Sequence, residues 1–442
     1  MNGKFVILNF VVKRFQLIHK QNYIILSRSY PVNKRKIFND PVYGFITIPG
    51  EVAFDIIEHP YFQRLRRIKQ LGLTDMVYPG ALHTRFHHSL GAMHLMRQAL
   101  ETLRLKGTDI SDKEAEGVLL AILLHDIGHT PFSHTLESLI VFGITHEELT
   151  DLFIRRFNEI FDGRLSVALD IFRNNYPKNF LHQLVSSQLD MDRLDFLKRD
   201  SFYTGVSEGV INTERIIDML DVKHDGLVVE AKGIYSIEKF IVARRLMYWQ
   251  VYLHKTVIAA ERMLVKILER ARFLCKKQEE LFSTSALSKF LKNNYNKHDF
   301  AYNTDLLDSF AALDDYDIFT SIKVWMAHKD CILSTLSRDL VLRHLFRIEI
   351  SPSPFDKSYI DMIKEKVCRK YKLDKEDADY FVITDLIANN AYNPFNDKIN
   401  ICDREGKIVD IAEASDQLNV AVLSNTVTKY YLCYPKTITK PA

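Results

Sequence analysis

Cysteine, long apolar runs and a strong net charge are what the chain has least of. Its five cysteines are scattered, odd in number and free of Cys-x-x-Cys spacing, which favours reduced thiols in a cytoplasm and offers no cysteine-ligated zinc site. The early apolar stretch "KFVILNFVV" is too short to span a bilayer, which needs about 20 apolar residues. A net charge of +3 is too small to indicate a nucleic-acid or membrane partner by itself. We therefore expect a cytoplasmic protein without a membrane partner.

Residue composition and apolar periodicity divide the 442-residue chain into three parts. Residues 1–33 are interpreted as an extension of unknown role, or as a tail translated from an upstream start codon. Residues 34–346 carry apolar positions at i, i+3, i+4 and i+7, which predicts helices. Residues 347–442 contain short stretches rich in β-branched and aromatic residues, which predicts strands. The expected fold is mainly α, a large helical core with a smaller α+β C-terminal lobe.

Local signals place some boundaries. Thr145 followed by Glu148 is a capping-box pattern that predicts a helix start, and Pro131 predicts the first turn of another helix near "TPFSHTLESLI". In the C-terminal part, "REG" between "KINICD" and "KIVDI" predicts a hairpin turn.

Histidines are strongly clustered, with nine of the sixteen between His59 and His146. Three segments together supply imidazole and carboxylate groups on separate helices: "HTRFHHSLG", "LLHDIGHTPFSH" and "QLDMDRLDF". Such ligands suit divalent cations such as manganese, iron or zinc. His125 and Asp126 adjoin at the end of an apolar helix and point about a third of a turn apart, so a metal over the helix end can receive both. His88 and Asp192 are the best candidates for the remaining ligands, although any single histidine could be structural.

Three arginines flank these segments and are candidates for polyphosphate recognition. Arg85 lies one helical turn before His88 and shares its face, Arg193 follows Asp192, and Arg244 opens "ARRLMYWQVYLHK". An arginine can contact two phosphate oxygens at once.

The order of these motifs resembles the HD superfamily of metal-dependent phosphohydrolases. "RFHHSLG", then "LLHDIGHTPFSH", then "DMDRLDFLKRD" is a specific combination. The likeness extends to the deoxynucleoside triphosphate triphosphohydrolases typified by the vertebrate enzyme that joins a sterile alpha motif to an HD domain. It includes "KIFNDPVYGFI", "FQRLRRIKQLG", "HKT" and "NPFNDKI", and covers nearly everything after residue 34; the sterile alpha motif is absent.

The resemblance implies a chemistry and a set of roles. His88, His125, Asp126 and Asp192 would hold a divalent metal (Mn, Fe, Zn or Mg), which activates water for attack on the α-phosphorus of a dNTP. His134 would donate a proton to the leaving 5′ oxygen. Glu137 would orient His134, while His129 and His146 would bind phosphate or relay protons. Nearby side chains are interpreted as structural or supporting: His83, His87, Asp190 and Asp195.

The resemblance also implies a sugar pocket. Gln70 and Leu71 would contact the deoxyribose, Tyr252 would exclude a 2′-hydroxyl, and Asp200 would bind near the 3′-hydroxyl. Three positions depart from the vertebrate pattern: Arg193 replaces lysine, Phe196 replaces tyrosine and Leu253 replaces glutamine. The preferred base is therefore left open.

A second nucleotide site is the last implication of the resemblance. In the vertebrate enzyme, nucleotides at subunit contacts assemble a tetramer. Residues similar to its guanine-binding residues occur here, with glutamate in place of aspartate at position 58: Lys36, Asn39, Glu58, Gln63 and Arg66. We expect a homo-oligomer, dimer or tetramer, with GTP or a dNTP as activator; the alternative is that these segments only pack one subunit on another.

Other functions are compatible with the same motifs. The chain could be an HD phosphohydrolase acting on other nucleotides or on a phosphodiester, including single-stranded nucleic acid. It could also be a nucleotide- or nucleic-acid-binding regulator with a vestigial site, although the complete set of four metal-ligand candidates argues against decay.

Overall fold

The structure is a computed structural model and describes residues 36–394, 398–415 and 425–439. The predicted N-terminal extension, residues 1–33, lies outside the described residues, as do positions 395–397 of the "NPFNDKI" segment. Within these ranges, no helix is long and apolar enough to cross a membrane.

The described part of the chain is mainly helical, as predicted. The helices are α1 Glu51–Glu58, α2 Pro60–Gln63, α3 Arg85–Leu105, α4 Asp112–Leu124, α5 Glu137–Ile140, α6 His146–Ile160, α7 Ser166–Phe172, α8 Asn179–Val185, α9 Met191–Thr204, α10 Thr213–Asp218, α11 Ile234–Met247, α12 Lys255–Lys276, α13 Ser285–Lys292, α14 Lys297–Tyr302, α15 Thr304–Ala311, α16 Asp315–Trp325, α17 Cys331–Val341, α18 Lys357–Tyr371 and α19 Ile411–Ala414.

Helix α3 packs against both α4 and α9, and the three helices form the frame of the core. Helix α4 begins at a capping box in which the Ser111 side chain accepts from Glu114 N–H, and its apolar residues are buried up to Leu124. Helix α3 is buried along most of its length. Because α4 and α9 both pack against α3, residues at the ends of the three helices can come together.

The strands form three sheets in the described residues. They are β1 Ile37–Asp40, β2 Gly44–Thr47, β3 Leu220–Lys223, β4 Gly226–Glu230, β5 Arg347–Ser351, β6 Ile383–Asn389, β7 Asn400–Cys402, β8 Ile408–Asp410 and β9 Val427–Tyr434. β1 and β2 form an antiparallel hairpin, and β9 pairs with both β5 and β6. The remaining sheet has the order β3-β4-β7-β8. Its β4–β7 pair is parallel and joins the predicted core to the predicted lobe. This sheet therefore crosses the predicted domain boundary at residue 347, and that boundary stays a prediction.

Two of the local predictions are confirmed and one is wrong. Thr145 caps α6 as predicted, and β7 and β8 pair across the "REG" turn. No helix begins at Pro131. Phe132 and Ser133 instead adopt left-handed backbone angles (φ 55° and 57°), and a short 3-10 helix at Ser133–Leu136 follows.

Candidate active site

Three helix ends bring together the predicted metal ligands. His88 lies in the first turn of α3 and His125 directly follows α4. Asp192 lies in the first turn of α9, which begins where the Asp190 side chain accepts from Arg193 N–H at 2.7 Å. The clustering of His88, His125 and Asp192 thus follows from the packing of α3, α4 and α9.

The spacing of these three groups fits a divalent cation. His88 Nε2 lies 3.0 Å from Asp192 Oδ1 and 3.2 Å from His125 Nε2, and His125 Nε2 lies 3.4 Å from Asp192 Oδ1. Ligand atoms about 2.1 Å from a common ion lie about 3.0 Å apart at octahedral corners and about 3.4 Å apart at tetrahedral corners. The three donor atoms therefore have the mutual distances of a coordination sphere.

The second ring nitrogen of each histidine is already engaged. His88 Nδ1 lies 2.7 Å from Asp195 Oδ2, and His125 Nδ1 lies 2.6 Å from Ile122 O. Only a protonated Nδ1 can donate to these oxygens, so both Nε2 lone pairs are left to face the cluster.

Asp126 lies at the edge of this cluster. Its Oδ2 is 3.5 Å from His88 Nε2, and its Oδ1 is 3.5 Å from His125 Nε2. Oδ2 also accepts from Arg85 Nη1, and Oδ1 lies 3.2 Å from His129 Nε2. The carboxylate therefore links the metal-ligand candidates to the neighbouring histidines.

A second cluster consists of His129, His134, His146 and Glu137. The His129 and His146 rings stack with centroids 4.0 Å apart, and the His134 ring lies within 5.0 Å of both. Glu137 approaches His146 Nδ1 at 3.0 Å and His134 Nδ1 at 3.4 Å. Although burial opposes the shift, these contacts hold the pKa of Glu137 below its usual range. Glu137 is thus an ionised partner shared by two imidazoles.

The three arginines differ in how far their hydrogen-bonding capacity is used. Arg85 is buried and donates to Asp126 and to Ser133 Oγ, the latter at 3.1 Å. Arg193 Nη1 donates to Asp190 Oδ2 at 2.6 Å. Arg244 Nε is buried with no hydrogen-bond partner among the described residues, and burial together with Arg193 lowers the pKa of Arg244. Arg193 and Arg244 thus place two guanidinium groups close together near Asp190, which pairs with Arg193. The Arg244 Nε that has no partner in the described residues is suited to an anion.

Asp200 and Tyr252 are brought together, as the predicted sugar pocket requires. Tyr252 Oη donates to Asp200 Oδ2 at 2.8 Å, and His83 Nε2 lies 2.7 Å from Asp200 Oδ1. The Phe196 ring contacts the Tyr252 ring edge-on, with centroids 6.1 Å apart. Burial and the Asp200 carboxylate raise the pKa of Tyr252 well above its usual value, so the phenol is a neutral donor.

Gln70 and Leu71 lie beside the two clusters. Gln70 N–H donates to His83 O at 3.0 Å, its carbonyl accepts from Ser133 Oγ at 3.2 Å, and its Oε1 is buried without a partner in the described structure. Leu71 is partly buried against the core. The loop that carries both residues is therefore tied to His83, which contacts Asp200, and to the segment before His134.

The residues predicted for a second nucleotide lie at the β1–β2 hairpin and α1–α2. Lys36 pairs with Glu58, and Arg66 Nε donates to Gln63 Oε1 at 2.8 Å. Burial lowers the pKa of Arg66, and the Glu58 carboxylate opposes that shift. Asn39 lies in β1, opposite Phe45. Four of the five side chains thus occur as two contacting pairs.

Some groups in contact with the site were not among the predicted site residues. Asp195 was assigned only a supporting role, and Arg199, Asp40, Asp315 and Glu261 were not singled out. Arg199 follows Asp195 by four residues, a helical spacing that predicts an ion pair. The other three come from distant segments and leave no local signal.

These observations define the class of protein, a phosphohydrolase with a histidine–aspartate metal site on a helical core. Comparison with known families agrees: residues 85–185 match the HD domain and residues 211–284 match the HD associated region. The chain belongs to the HD-domain phosphohydrolases.

Several relatives span nearly the whole chain. The uncharacterised protein YwfO of Bacillus subtilis is 32% identical over 426 residues, 92% of this chain and 94% of its own length. The crystal structure of a phosphohydrolase from Bacteroides thetaiotaomicron shares 54% sequence identity, with a TM-score of 0.88 over 91% of this chain and all of the other.

A more distant similarity involves proteins of named activity. The Dictyostelium discoideum homologue of the deoxynucleoside triphosphate triphosphohydrolase SAMHD1 is 31% identical over 265 residues, 56% of this chain and 51% of its own length. The chicken SAMHD1 is 29% identical over 53% of this chain and 45% of its own. The chain thus spans about half the length of these two relatives.

Proposed function

We propose that the chain is a metal-dependent deoxynucleoside triphosphate triphosphohydrolase, which cleaves a dNTP to a deoxynucleoside and intact triphosphate. The observation that carries the proposal is the Asp200–Tyr252 pair beside the metal-ligand cluster. A buried carboxylate bound by a phenol and an imidazole is an unusual group next to phosphate-cleaving residues, and it suits a sugar hydroxyl. The name of the Dictyostelium relative supports the same substrate.

The sugar is read by the groups around Asp200. Both of its oxygens have one protein partner, Tyr252 Oη at 2.8 Å and His83 Nε2 at 2.7 Å, and each oxygen has lone-pair capacity left for a 3′-hydroxyl. The Tyr252 ring, which contacts the Phe196 ring, would occupy the space that a 2′-hydroxyl needs. A ribonucleotide would therefore meet an aromatic edge instead of a hydrogen-bonding partner.

The triphosphate would lie along the arginines. Arg193 and Arg244 stand close together, and the buried Nε of Arg244 lacks a partner in the described residues. A buried donor without a partner is costly, and a phosphate oxygen would satisfy it. Arg85, beside Asp126, would contact the phosphate nearest the metal-ligand cluster.

The residues of the second cluster would handle the proton. A divalent cation held by His88, His125, Asp126 and Asp192 would polarise the α-phosphate and lower the pKa of a water toward about 7. As water adds to the α-phosphorus, the bond to O5′ breaks and its electron pair goes to that oxygen. His134 gives O5′ a proton, so the products are a neutral deoxynucleoside and triphosphate. Glu137 holds His134 toward the site through the 3.4 Å contact.

The proposal includes regulation at Lys36, Asn39, Glu58, Gln63 and Arg66. A guanine nucleotide or dNTP bound there would promote assembly into a dimer or tetramer and raise the activity. The measurement is the mass in solution, with and without GTP and dNTPs, alongside the rate. An unchanged mass together with an unstimulated rate would contradict this part of the proposal and leave the catalytic part intact.

The decisive experiment is product analysis. Purified protein is incubated with each dNTP and with each rNTP, in Mn²⁺ or Mg²⁺, with and without GTP, and the products are separated chromatographically. We expect deoxynucleoside and intact triphosphate from dNTPs, little turnover of rNTPs, and neither product from Asp126→Ala. Release of a monophosphate and pyrophosphate, or turnover only of cyclic nucleotides, monophosphates or single-stranded nucleic acid, would assign a different phosphoester substrate to the same metal site.

A further inference from the structure

A continuous chain of buried ion pairs connects the β1–β2 hairpin to the metal-ligand candidate His88. His88 Nδ1 lies 2.7 Å from Asp195 Oδ2. The same oxygen accepts from Arg199 Nε at 2.9 Å, and Arg199 Nη1 donates to Asp40 Oδ2 at 2.7 Å. Asp40 closes β1, and its Oδ1 accepts from Val42 N–H at 2.9 Å. The chain thus runs from a backbone turn to the imidazole.

These groups have almost no contact with solvent. The side chains of His88, Asp195 and Arg199 are all 0% exposed, and that of Asp40 is 4% exposed. A buried charge is tolerated only when it is paired and hydrogen-bonded. Each member of the chain therefore depends on its neighbour, and removing one leaves an uncompensated charge beside the next.

The chain also fills a space that the backbone leaves for it. Gly91 lies on α3, one turn after His88, and a Cβ there would come within 2.0 Å of Asp195 Oδ1 and 2.2 Å of Arg199 Nη2. The side chains therefore pack directly against the helix that carries His88. This packing leaves them little freedom to adopt another arrangement.

The consequence for His88 is chemical as well as structural. Asp195 fixes the tautomer with the proton on Nδ1, which directs the Nε2 lone pair at the metal position. Arg199 holds Asp195 through two contacts, Nε to Oδ2 at 2.9 Å and Nη2 to Oδ1 at 3.0 Å. Asp40 in turn fixes the guanidinium from the opposite side.

We propose that Arg199 and Asp40 are positioning residues for the metal site, so that tight metal retention at His88 depends on the folded β1–β2 hairpin. The inference rests on the metal site of the proposed function but not on its substrate. It assigns a role to the hairpin that does not require a nucleotide to bind there.

The experiment measures metal affinity, using the full-length protein stripped of metal and titrated with Mn²⁺ in the absence of substrate. The variants are Arg199→Met, Arg199→Lys and Asp40→Asn. The matched control is Arg270→Met, which removes a buried guanidinium that bridges Asp330 and Asp377 away from the site. The melting temperature of each variant is recorded alongside, because a structural defect alone would lower stability without a selective loss of metal.

We expect Arg199→Met to weaken Mn²⁺ binding by roughly 10- to 100-fold, the range typical of groups that orient metal ligands. Asp40→Asn should give a smaller loss and Arg199→Lys a partial rescue, while Arg270→Met should bind as the unmodified protein does despite a lower melting temperature. If Arg199→Met does not fold, Asp40→Asn carries the test, since it removes no bulk.

Unchanged affinity in Asp40→Asn and Arg199→Lys, or an equal loss in Arg270→Met, would overturn the inference. Failure of the unmodified protein to bind any Mn²⁺ would overturn the metal site and the inference together. Normal metal binding without dNTP turnover would overturn only the proposed substrate.

Discussion

The two histidine clusters of the site lie side by side but are built differently. In the metal-ligand cluster, His88 is fully buried and His125 nearly so, and each ring has its second nitrogen fixed by an oxygen. In the other cluster, the His134 side chain is 68% exposed and its contact with Glu137 is long, 3.4 Å. One cluster is arranged to hold a ligand in a set geometry; the other is open to a molecule that arrives from solvent.

The carboxyl groups that contact the two clusters from the protein interior also differ. His88 is backed by Asp195, which is ion-paired with Arg199. The segment around His134 is backed by two carboxyl groups whose pKa values are raised by burial, Asp315 to about 6 and Glu261 to about 7. Asp315 accepts from Phe132 N–H at 2.7 Å and from Lys69 N–H at 2.9 Å. The metal-ligand cluster therefore rests on an ion pair, and the His134 segment rests on two carboxyl groups whose pKa values are raised by burial.

The largest effect is expected when a metal-ligand candidate is removed. Asp192→Ala should abolish metal binding and lower the hydrolysis rate by more than about 10³-fold, because the ion supplies several kcal/mol of charge stabilisation. Metal content by elemental analysis and the rate are measured together. Asp170→Ala, an exposed carboxylate on α7, serves as the control; retention of stoichiometric metal in Asp192→Ala would contradict the ligand assignment.

His134→Gln should separate the two clusters. The hydrolysis rate should fall by about 10²- to 10⁴-fold, the usual contribution of a general acid, while metal content stays unchanged. A substrate with a nitrophenyl leaving group on the α-phosphate needs no proton at the departing oxygen and should lose much less. Equal losses on both substrates would remove His134 from the proton-transfer role, and His298→Gln, an exposed histidine of α14, controls for the substitution itself.

The comparison also shows what the sequence could predict. The capping box at Thr145 and the helix that ends at Leu124, directly before His125, were predictable because their signals lie within a few residues. The left-handed backbone at Phe132 and Ser133 was not, because the acceptor that stabilises it, Asp315, is 183 residues away. A pattern read over one helical turn cannot report a contact of that separation.

The site follows the same division. The metal-ligand candidates stood out because three short segments together supply imidazole and carboxylate groups, and the structure brings His88, His125 and Asp192 together. Their roles stay predictions until metal binding is measured. The Arg199–Asp40 contact, between residues 159 positions apart, could not be inferred from spacing, and it is this contact that ties the metal side to the hairpin.

Glu137→Gln tests the carboxylate that His134 and His146 share. Loss of the carboxylate removes the contacts to His134 Nδ1 and His146 Nδ1, so His134 should be held less firmly in the site. The maximal rate should fall by up to roughly fivefold, since exposed ion pairs contribute little. Glu159→Gln, at the far end of α6, is the control, and a rate in Glu137→Gln equal to that of the unmodified protein would contradict the role given to Glu137.

The smallest effect is expected at Glu261, a buried carboxyl group beside the cluster that contains His134. Glu261 interacts with Thr135, and burial raises its pKa to about 7 from a usual value of 4.5. The folded state therefore favours the protonated form, and its contribution to stability is complete below pH 4.5 and is lost as the pH rises through about 7. Glutamine is neutral at every pH, so Glu261→Gln should match the unmodified protein at pH 5 and melt a few °C higher at pH 8.

The control for this last substitution is Glu269→Gln on the same helix, α12. Glu269 pairs with Lys266 at 2.8 Å and is partly exposed. The melting temperature of Glu269→Gln should therefore change with pH, between pH 5 and pH 8, in the same way as that of the unmodified protein. Metal content should be unchanged in both variants, because Asp195 and Arg199, the support on the metal side, are untouched. If the difference in melting temperature between Glu261→Gln and the unmodified protein were also constant from pH 5 to pH 8, Glu261 would be ionised in the folded protein. The raised pKa given to Glu261 would then be contradicted.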